Sequence, residues 1–301
     1  MVCENKKPLV SILLNCFNAS LFISRAIRSV INQSYTNWEL IIWDDGSTDS
    51  TVNEIKKFKD QRIKFFSQKK NSGLCLSRIN AVEKINGSLV SVLDADDFFE
   101  PEKISKQVEI FNKDQRIAIC STWVKFFNEN LKLTKIFESN LNNEELKHRL
   151  LLVNILPHSS LMYKKSAAQK VGWYSNNFEY SQDFDLTLKL LKKNEIYLIK
   201  EHLTNIIQTQ SNMSNSVYYK KIRIEENLQI LKNNLKTLNF TSKDAKLLES
   251  LIQINLIKLA LLDVKKNLIK SLYLLMKFFI KNPLIILKLK LVSNLSEIKK
   301  V

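Results

Sequence analysis

Ser88 to Asp97 reads Ser-Leu-Val-Ser-Val-Leu-Asp-Ala-Asp-Asp, an apolar run that ends in three carboxylates within four residues. The apolar run predicts a buried strand, with Asp94, Asp96 and Asp97 at its carboxyl end. Three like charges at this spacing repel one another, and none is readily removed from water. A divalent cation carrying a phosphate would offset this cost, whereas a solvated acidic turn before a helix would need no ligand. The stretch alone leaves both interpretations open.

The strand at 88–93 follows other buried strands that alternate with helices. Leu9–Leu14 is an apolar run with one Ser and Glu39–Trp43 is predicted as the second strand, and each is followed first by polar residues and then by helical spacing. This alternation predicts a mostly parallel, doubly wound α/β sheet with right-handed crossovers. Such sheets bind ligands outside the carboxyl ends of their strands. We therefore expect Asn15, Asp45 and the acidic cluster to share one edge.

The pattern changes after Ile117. A hairpin is predicted at 117–127 and 131–137, and shorter strands are predicted at 159–163, 196–200 and 205–209. We expect this half to form the mixed edge of the same domain, where an acceptor could bind. From about Val217 the apolar spacing is helical. We therefore divide the 301-residue chain into an α/β domain at 1–215 and a basic helical region at 216–301.

The positive charge is concentrated in that helical region. Residues 216–301 carry 17 Lys and Arg against 6 Asp and Glu, so they hold most of the net charge of +16. Residues 271–287 are strongly apolar but are interrupted by Lys277, Lys281 and Pro283, which favours an interfacial amphipathic helix over a spanning one. We predict attachment to an anionic membrane surface, and a helical bundle packed on the first domain is the alternative. The prediction fails if a chain ending near Asp263 binds membranes as well as the full chain.

The cysteines and the phosphate-loop motifs narrow the class further. Cys3, Cys16, Cys75 and Cys120 form no CxxC pair and no Cys/His cluster of zinc spacing, so we expect reduced thiols in a cytoplasmic protein. Neither GxxxxGK[ST] nor GxGxxG follows a predicted strand, which disfavours P-loop and standard dinucleotide chemistry. A nucleotide held by carboxylates, with its diphosphate bridged to Mg²⁺ or Mn²⁺, fits the acidic edge better.

An ordered set of motifs resembles the family 2 glycosyltransferases of the GT-A fold. The match extends over roughly residues 8–215 and includes a DxD motif at Asp94–Asp96. Its segments are Val10–Asn18, Ser29–Tyr35, Trp38–Asp49, Asn71–Leu74 with Arg78 and Asn80, Leu93–Asp97, and Gln182–Leu186.

The resemblance implies an inverting glycosyltransferase with a GT-A catalytic domain at 1–215. It would move a sugar from a nucleotide-diphosphate donor, with a UDP-sugar favoured, to the hydroxyl of a saccharide or lipid-linked saccharide. Surface polysaccharide assembly (lipopolysaccharide or capsule) on the cytoplasmic face of a bacterial inner membrane is the expected setting. A catalytically silent, membrane-associated scaffold is the alternative. A nucleic-acid partner is not expected, because the acidic edge would repel a phosphate backbone.

The same resemblance implies roles for seven residues. Asp183 would be the general base for the acceptor hydroxyl. The other six would bind the donor or its Mn²⁺ or Mg²⁺. Asn15 and Asp45 would lie at the nucleoside, with Asp45 accepting from the base, and Arg78 would lie at the nucleotide or diphosphate. Asp94 would contact ribose or metal, Asp96 would be the main metal ligand, and Asp97 would lie near the sugar.

The chain departs from the family pattern at two places. Gln182 stands before Asp183 where the family usually has Glu, so Asp183 loses a negative neighbour that would raise its pKa. Where many relatives have Tyr-Arg-x-His, the chain has Ile207-Gln208-Thr209-Gln210, so phosphate contacts from this loop should be weaker.

Several nearby residues have structural interpretations that compete with functional ones. We favour a capping or turn-stabilising role for Asp44, and Arg78 could be a plain surface arginine. Trp173 and Tyr174 could form an aromatic surface for a sugar ring, although simple packing is favoured. His158 could face the acceptor, but a lone histidine is more often packed or solvated.

Overall fold

The structure is a computed structural model that describes residues 7–209, 217–237, 248–249, 251–256 and 298–300. The strands are β1 Val10–Cys16, β2 Trp38–Asp44, β3 Ile63–Ser67, β4 Leu89–Val92, β5 Phe98–Phe99, β6 Ile117–Asn128, β7 Leu133–Phe137, β8 Met162–Lys164, β9 Glu195–Gln208 and β10 Ile298–Lys300. The helices are α1 Ile23–Ile31, α2 Thr51–Lys56, α3 Leu74–Val82, α4 Lys103–Lys113, α5 Asn143–Leu152, α6 Lys165–Lys170, α7 Gln182–Leu191 and α8 Val217–Thr237, and a 3₁₀ turn spans His158–Ser160.

The first half of the sheet is parallel, in the order β3-β2-β1-β4. Strand β1 is buried on both faces, which explains its continuous apolar sequence. On one face Ile12 and Leu14 pack with Ile27 of α1, and on the other Leu13 packs with Ala81 of α3. The parallel α/β architecture predicted from the strand–helix alternation is confirmed.

The second half of the sheet is mixed. Strand β8 lies antiparallel between β4 and β6, and β6 also pairs with β7 in the predicted hairpin. The prediction of two strands at 196–200 and 205–209 is wrong, because β9 is continuous from Glu195 to Gln208. Lys200 and Glu201 are exposed where the parallel β6–β9 ladder shifts register, so the polar break in the sequence is a ladder irregularity rather than a strand end.

Glu39 joins three elements at the amino-terminal edge of the sheet. Its buried carboxylate accepts hydrogen bonds from Ser11 Oγ (2.5 Å), Lys64 Nζ (2.6 Å) and the Asn86 backbone amide (2.7 Å). Gly87 lies so close to β1 that a Cβ there would meet the Leu9 carbonyl oxygen at 2.5 Å. Burial raises the pKa of Glu39, but its hydrogen bonds to Lys64, Ser11 and Asn86 outweigh burial and lower it to about 2.

Glu39→Gln should therefore destabilise the protein in a pH-dependent way. Because the folded-state pKa lies below the ordinary value of 4.5, the contribution is complete above that value and is lost as pH falls toward about 2. We expect a loss of about 2 kcal/mol at pH 7, measured by urea unfolding, and a smaller difference from the wild type near pH 3. Glu109→Gln, which removes an exposed pair with Lys113, is the control and should change little. Equal losses in the two variants at pH 7 would contradict the assignment.

The chain divides into two compact units. One contains residues 1–147, 156–209 and 298–301, and the other contains 148–155 and 210–297. Within the described part of the second unit, Leu152, Leu228 and Leu231 pack with Leu248, Leu251 and Ile252. The division at residue 215 into catalytic and helical regions stays a prediction.

The basic apolar segment at 271–287 lies outside the described residues, as does most of the region after Thr237 that is predicted to be helical. Attachment to a membrane surface therefore stays a prediction. Within the ranges that the structure describes, no helix has the length and apolar character needed to cross a bilayer.

Candidate functional site

The carboxyl ends of β1, β2 and β4 form one edge of the parallel sheet. Asn15 pairs with Trp43 across β1 and β2, and Leu13 pairs with Val92 of β4. The acidic turn begins two residues after Val92, and Asp45 directly follows β2. The three polar clusters identified in the sequence therefore lie at the same edge.

Asp97 is the innermost carboxylate of the acidic turn. One of its oxygens accepts from Ser159 Oγ (2.5 Å) and the other from the Ile207 backbone amide (3.2 Å). Ser159 Oγ also accepts from the Asp94 backbone amide at 3.0 Å. Asp97 is 3% exposed, and its hydrogen bonds connect the acidic turn to the 3₁₀ turn and to β9. Its predicted contact with the sugar stays a prediction, and both of its carboxylate oxygens already have protein partners.

Asp96 is the carboxylate of the cluster without a side-chain partner in the described part of the chain. Arg25 Nη2 donates to its backbone oxygen (3.2 Å) rather than to its carboxylate. Burial raises the pKa of Asp96 to about 6, with a further contribution from the negative charge of Asp94. Burial also raises the pKa of Asp97 well above its ordinary value, and Asp96 and Asp94 add to that shift. Three ionised carboxylates are thus unfavourable here without a compensating cation.

Asp94 faces two basic side chains. Its Oδ1 lies 3.6 Å from Arg78 Nη2 and 3.6 Å from His158 Nδ1. Burial raises the pKa of the Asp94 carboxyl, but the contacts with His158 and Arg78 outweigh it and hold the pKa at about 2. Arg78 is 6% exposed, so it is not the plain surface arginine that the sequence left open.

Asp45 holds the loop that follows β3. Its Oδ1 accepts from the Ser72 amide and hydroxyl, both at 3.0 Å, and from Gln68 Nε2, and its Oδ2 accepts from the Gly73 amide at 2.9 Å. Its predicted hydrogen bond from a nucleobase stays a prediction, and the loop at 68–73 would have to give up at least one of these contacts. Asp44 accepts from the Ser47 amide at 3.2 Å, which is the turn-stabilising role predicted for it.

Near the end of β1, Asn15 and Phe17 each have a group that a ligand could contact. Asn15 Nδ2 is buried and has no hydrogen-bond partner among the described residues. Phe17 follows directly after β1 and is 47% exposed. A buried amide donor beside an exposed aromatic ring can serve a polar and a flat group of one ligand.

Asp183 lies in the first turn of α7. Burial raises the pKa of Tyr163 and of Tyr174, and the negative charge of Asp183 is among the neighbours that raise both further. The charge of Asp183 thus acts on Tyr174, whose hydroxyl lies 3.1 Å from His158 Nε2. Trp173 packs against the hydrophobic cluster of Leu13 and Ile41, in agreement with the favoured packing role.

Gln182 has a structural reason to be an amide. It is fully buried, and its Nε2 donates to the Ser175 carbonyl oxygen (3.0 Å) and contacts Cys75 Sγ (3.0 Å). A glutamate carboxylate would repel that carbonyl oxygen. The substitution therefore fits the local packing and needs no loss of activity to explain it.

No motif in the sequence marks Ser159 or Arg25 as functional, and the sequence does not distinguish His158 from a packed or solvated histidine. The sequence does contain a hint, since Pro157-His158-Ser159-Ser160 is a polar run directly before a strand. Its importance depends on β8 pairing with β4, which places this turn beside the acidic strand end. Gln208 ends β9, and Gln210 lies outside the described residues.

The acidic turn fits a divalent cation that brings most of its own ligands. Asp96 has no side-chain partner in the described ranges, and the side chain of the neighbouring Asp94 is 41% exposed. No group of three or more His, Cys, Asp or Glu side chains in the described part of the chain could hold a metal ion alone. Mg²⁺ and Mn²⁺ bind through one or two carboxylates when substrate phosphates and water complete the coordination.

The fold and the site define an α/β protein with an acidic edge at the carboxyl ends of its parallel strands. Residues 11–172, more than half of the chain, match the family model described as Glycosyl transferase family 2. The chain therefore belongs to glycosyl transferase family 2 and is a glycosyltransferase.

Relatives at the sequence level are glycosyltransferases or polysaccharide synthases. An uncharacterized glycosyltransferase of Methanocaldococcus jannaschii is 29% identical over 68% of this chain and 74% of its own length. The chondroitin synthase of Escherichia coli is 32% identical over 61% of this chain, which is 26% of that enzyme. The putative teichuronic acid biosynthesis glycosyltransferase TuaG of Bacillus subtilis is 39% identical over 35% of this chain and 42% of its own.

Solved structures of GT-A glycosyltransferases share the fold. Residues 1–349 of S. aureus TarS in complex with UDP superpose with a TM-score of 0.61 at 16% identity, covering 83% of this chain and 71% of that one. The mannosyltransferase PcManGT of Pyrobaculum calidifontis, solved with GDP-Man and Mn²⁺, gives a TM-score of 0.63 at 12% identity, covering 92% and 81%. The GT-A fold is thus established, with helices of the second unit described in part.

Proposed function

We propose that this glycosyltransferase moves a sugar from a nucleotide-diphosphate donor to an acceptor hydroxyl with inversion at the anomeric carbon. The observation that carries the proposal is the carboxyl edge of the sheet, where the Asp96 carboxylate, which no other side chain of the described residues pairs with, lies next to the Asp94–Arg78 pair. An anionic diphosphate can bind beside these carboxylates only if positive charge offsets their repulsion.

The donor-binding residues divide into a nucleoside group and a diphosphate group. The unpartnered amide of Asn15 would donate to the nucleoside, and Asp45 would fix the neighbouring loop or accept from the base. Arg78, already oriented by Asp94, would donate to a phosphate oxygen. Asp94 would accept from the ribose. Asp97, whose oxygens are held by Ser159 and Ile207, would support the sugar side of the site.

Asp96, with Asp94 beside it, would hold Mn²⁺ or Mg²⁺. When bound, the cation supplies charge neutralisation for the leaving diphosphate. A structural neighbour solved with GDP-Man and Mn²⁺ supports a divalent cation, while the choice of ion is part of the proposal.

Asp183 would accept the proton of the acceptor hydroxyl while that oxygen attacks the anomeric carbon. Its position at the amino terminus of α7 keeps it on a rigid element beside Tyr174. A single displacement of this kind inverts the anomeric configuration, in agreement with the use of one base and no covalent intermediate.

The donor and acceptor are proposed by class. Structural neighbours bind UDP, UDP-GlcNAc and GDP-Man, which supports a nucleotide sugar, and we favour a UDP-sugar. Relatives that make chondroitin or teichuronic acid support a saccharide or lipid-linked saccharide acceptor in surface polysaccharide assembly. We place that assembly at the cytoplasmic face of the membrane.

A thermal-shift screen of UDP- and GDP-sugars, each with Mn²⁺, Mg²⁺ or EDTA, tests the proposal. We expect at least one donor to raise the melting temperature by several degrees only when the cation is present. That donor should also release its nucleoside diphosphate when saccharide acceptors are added. If no nucleotide sugar shifts the melting temperature and none is consumed, the proposed reaction is wrong. The scaffold alternative predicts binding without turnover.

A further inference from the structure

The 3₁₀ turn at His158–Ser160 contacts the acidic turn, Arg78 of α3 and Tyr174. Ser159 bonds to Asp94 and Asp97 on the acidic turn, and His158 bonds to Arg78 of α3 and to Tyr174. From behind, the turn is fixed by Gln107, whose Nε2 donates to the Ser160 carbonyl oxygen at 3.0 Å. Such a buried turn is rigid, because its polar groups are paired on all sides.

His158 contacts three groups of the site through its two ring nitrogens. Its Nδ1 lies 3.0 Å from Arg78 Nη2 and 3.6 Å from Asp94 Oδ1, and its Nε2 lies 3.1 Å from the Tyr174 hydroxyl. The ring is 8% exposed, so solvent does not compete strongly for these contacts.

The contacts link the two ends of the proposed reaction. Arg78 lies over the Tyr174 ring, 5.8 Å from its centroid, and pairs with Asp94 on the donor side. Tyr174 lies near Asp183, whose charge contributes to the raised pKa of the tyrosine. His158 is thus the side chain through which the diphosphate-binding arginine and the aromatic neighbour of the base are held in one arrangement.

We propose that His158 is a positioning residue for sugar transfer, which orients Arg78 through Nδ1 toward the donor diphosphate and holds the Tyr174 hydroxyl through Nε2. The inference rests on the proposed roles of Arg78 and Asp183. Without the imidazole, Arg78 keeps its charge and its 3.6 Å contact with Asp94, but the same Nη2 group loses its 3.0 Å contact with Nδ1. Tyr174 loses the ring nitrogen that fixes its hydroxyl.

The two nitrogens can be tested separately. In His158→Asn the amide oxygen stands near the position of Nδ1 and can still accept from Arg78, but nothing reaches Tyr174. Tyr174→Phe removes the hydroxyl and leaves Arg78 and His158 in contact. His158→Ala removes both contacts. His202→Asn is the matched control. His202, on β9, contacts the Trp123 ring (5.2 Å between ring centroids) and pairs with Glu138, outside this network.

Binding of UDP and GDP with Mn²⁺ is measured by calorimetry, and turnover is measured with the nucleotide sugar that the wild type consumes fastest. His158→Ala should weaken nucleotide binding about tenfold and lower kcat about tenfold to a hundredfold. His158→Asn should restore nucleotide binding but not kcat, and Tyr174→Phe should lower kcat with unchanged nucleotide binding. The control should match the wild type in both.

A purely structural role for His158 would lower stability, but it would not lower kcat at unchanged nucleotide affinity in His158→Asn and Tyr174→Phe. Wild-type kcat and affinity in His158→Ala would overturn the inference while leaving the proposed function intact. If His158→Ala does not fold, kcat and nucleotide affinity in His158→Asn and Tyr174→Phe decide whether the inference holds. If the wild type neither binds a nucleotide nor consumes a nucleotide sugar, the proposed function fails, and this inference fails with it.

Discussion

Asp183→Asn should abolish sugar transfer and leave donor binding intact. Asparagine keeps the shape of the side chain, so α7 and its neighbour Tyr174 should stay in place, but the amide cannot accept the proton of the acceptor hydroxyl. We expect kcat to fall by about a thousandfold, within the range for loss of a general base. The measurement compares nucleoside diphosphate release in the presence of acceptor with donor affinity by calorimetry.

The control for this prediction is Asp185→Asn on the same helix. Asp185 pairs with Lys189 at 2.6 Å and has no proposed role in the reaction. Its replacement should leave transfer near the wild-type rate. Transfer by Asp183→Asn at a rate close to that of the control would exclude Asp183 as the base, and the search would move to other side chains near Tyr174.

Asp96→Ala should remove the dependence of donor binding on a divalent cation. In the wild type, Mn²⁺ should strengthen binding of the nucleotide sugar by about a hundredfold or more, since Asp96 would hold a cation whose charge offsets that of the diphosphate. In the variant, calorimetry with and without Mn²⁺ should give similar, weak affinities. Treatment of the wild type with EDTA should produce the same weak binding.

The same variant should be no less stable than the wild type when divalent cations are absent. Asp96 lies beside the negative charge of Asp94, so its removal relieves repulsion. A higher melting temperature in EDTA, together with loss of the Mn²⁺ effect, would separate a metal ligand from a structural carboxylate. Asp114→Asn, which breaks a surface pair with Arg116, serves as the control. A full Mn²⁺ effect in Asp96→Ala would show that another group holds the cation.

The parallel half of the fold was predictable because local pattern and burial coincide there. Strands β1 and β2 are buried along nearly their whole length, so apart from Ser11 and Glu39 their residues are apolar until the polar side chains near their carboxyl ends. Strand β9 was predicted as two pieces because Lys200 and Glu201 are exposed at a register shift, and sequence alone does not distinguish such a shift from a loop.

The site was predictable where residues follow a strand and unpredictable where they meet across the fold. Asp94 and Asp96 are marked by their position after β4. The role of His158 depends on contacts with Arg78, 80 residues away, and Tyr174, 16 residues away. No local pattern encodes contacts at such separations, because they arise only when β8 is placed against β4. For the same reason, the engagement of Asp45 by the loop at 68–73 was not foreseen.

The ladder between β4 and β8 has a consequence for engineering. Leu89, Val90 and Ser91 pair directly with Lys164, Tyr163 and Met162, so the segment that ends in the acidic turn and the segment that follows His158 form one hydrogen-bonded unit. In a chimera that exchanges acceptor-side sequences between relatives, residues 157–164 should travel with the donor half. Crossover points placed after β8 would then graft a new acceptor surface without detaching Arg78, Asp94 and Asp97 from their supports.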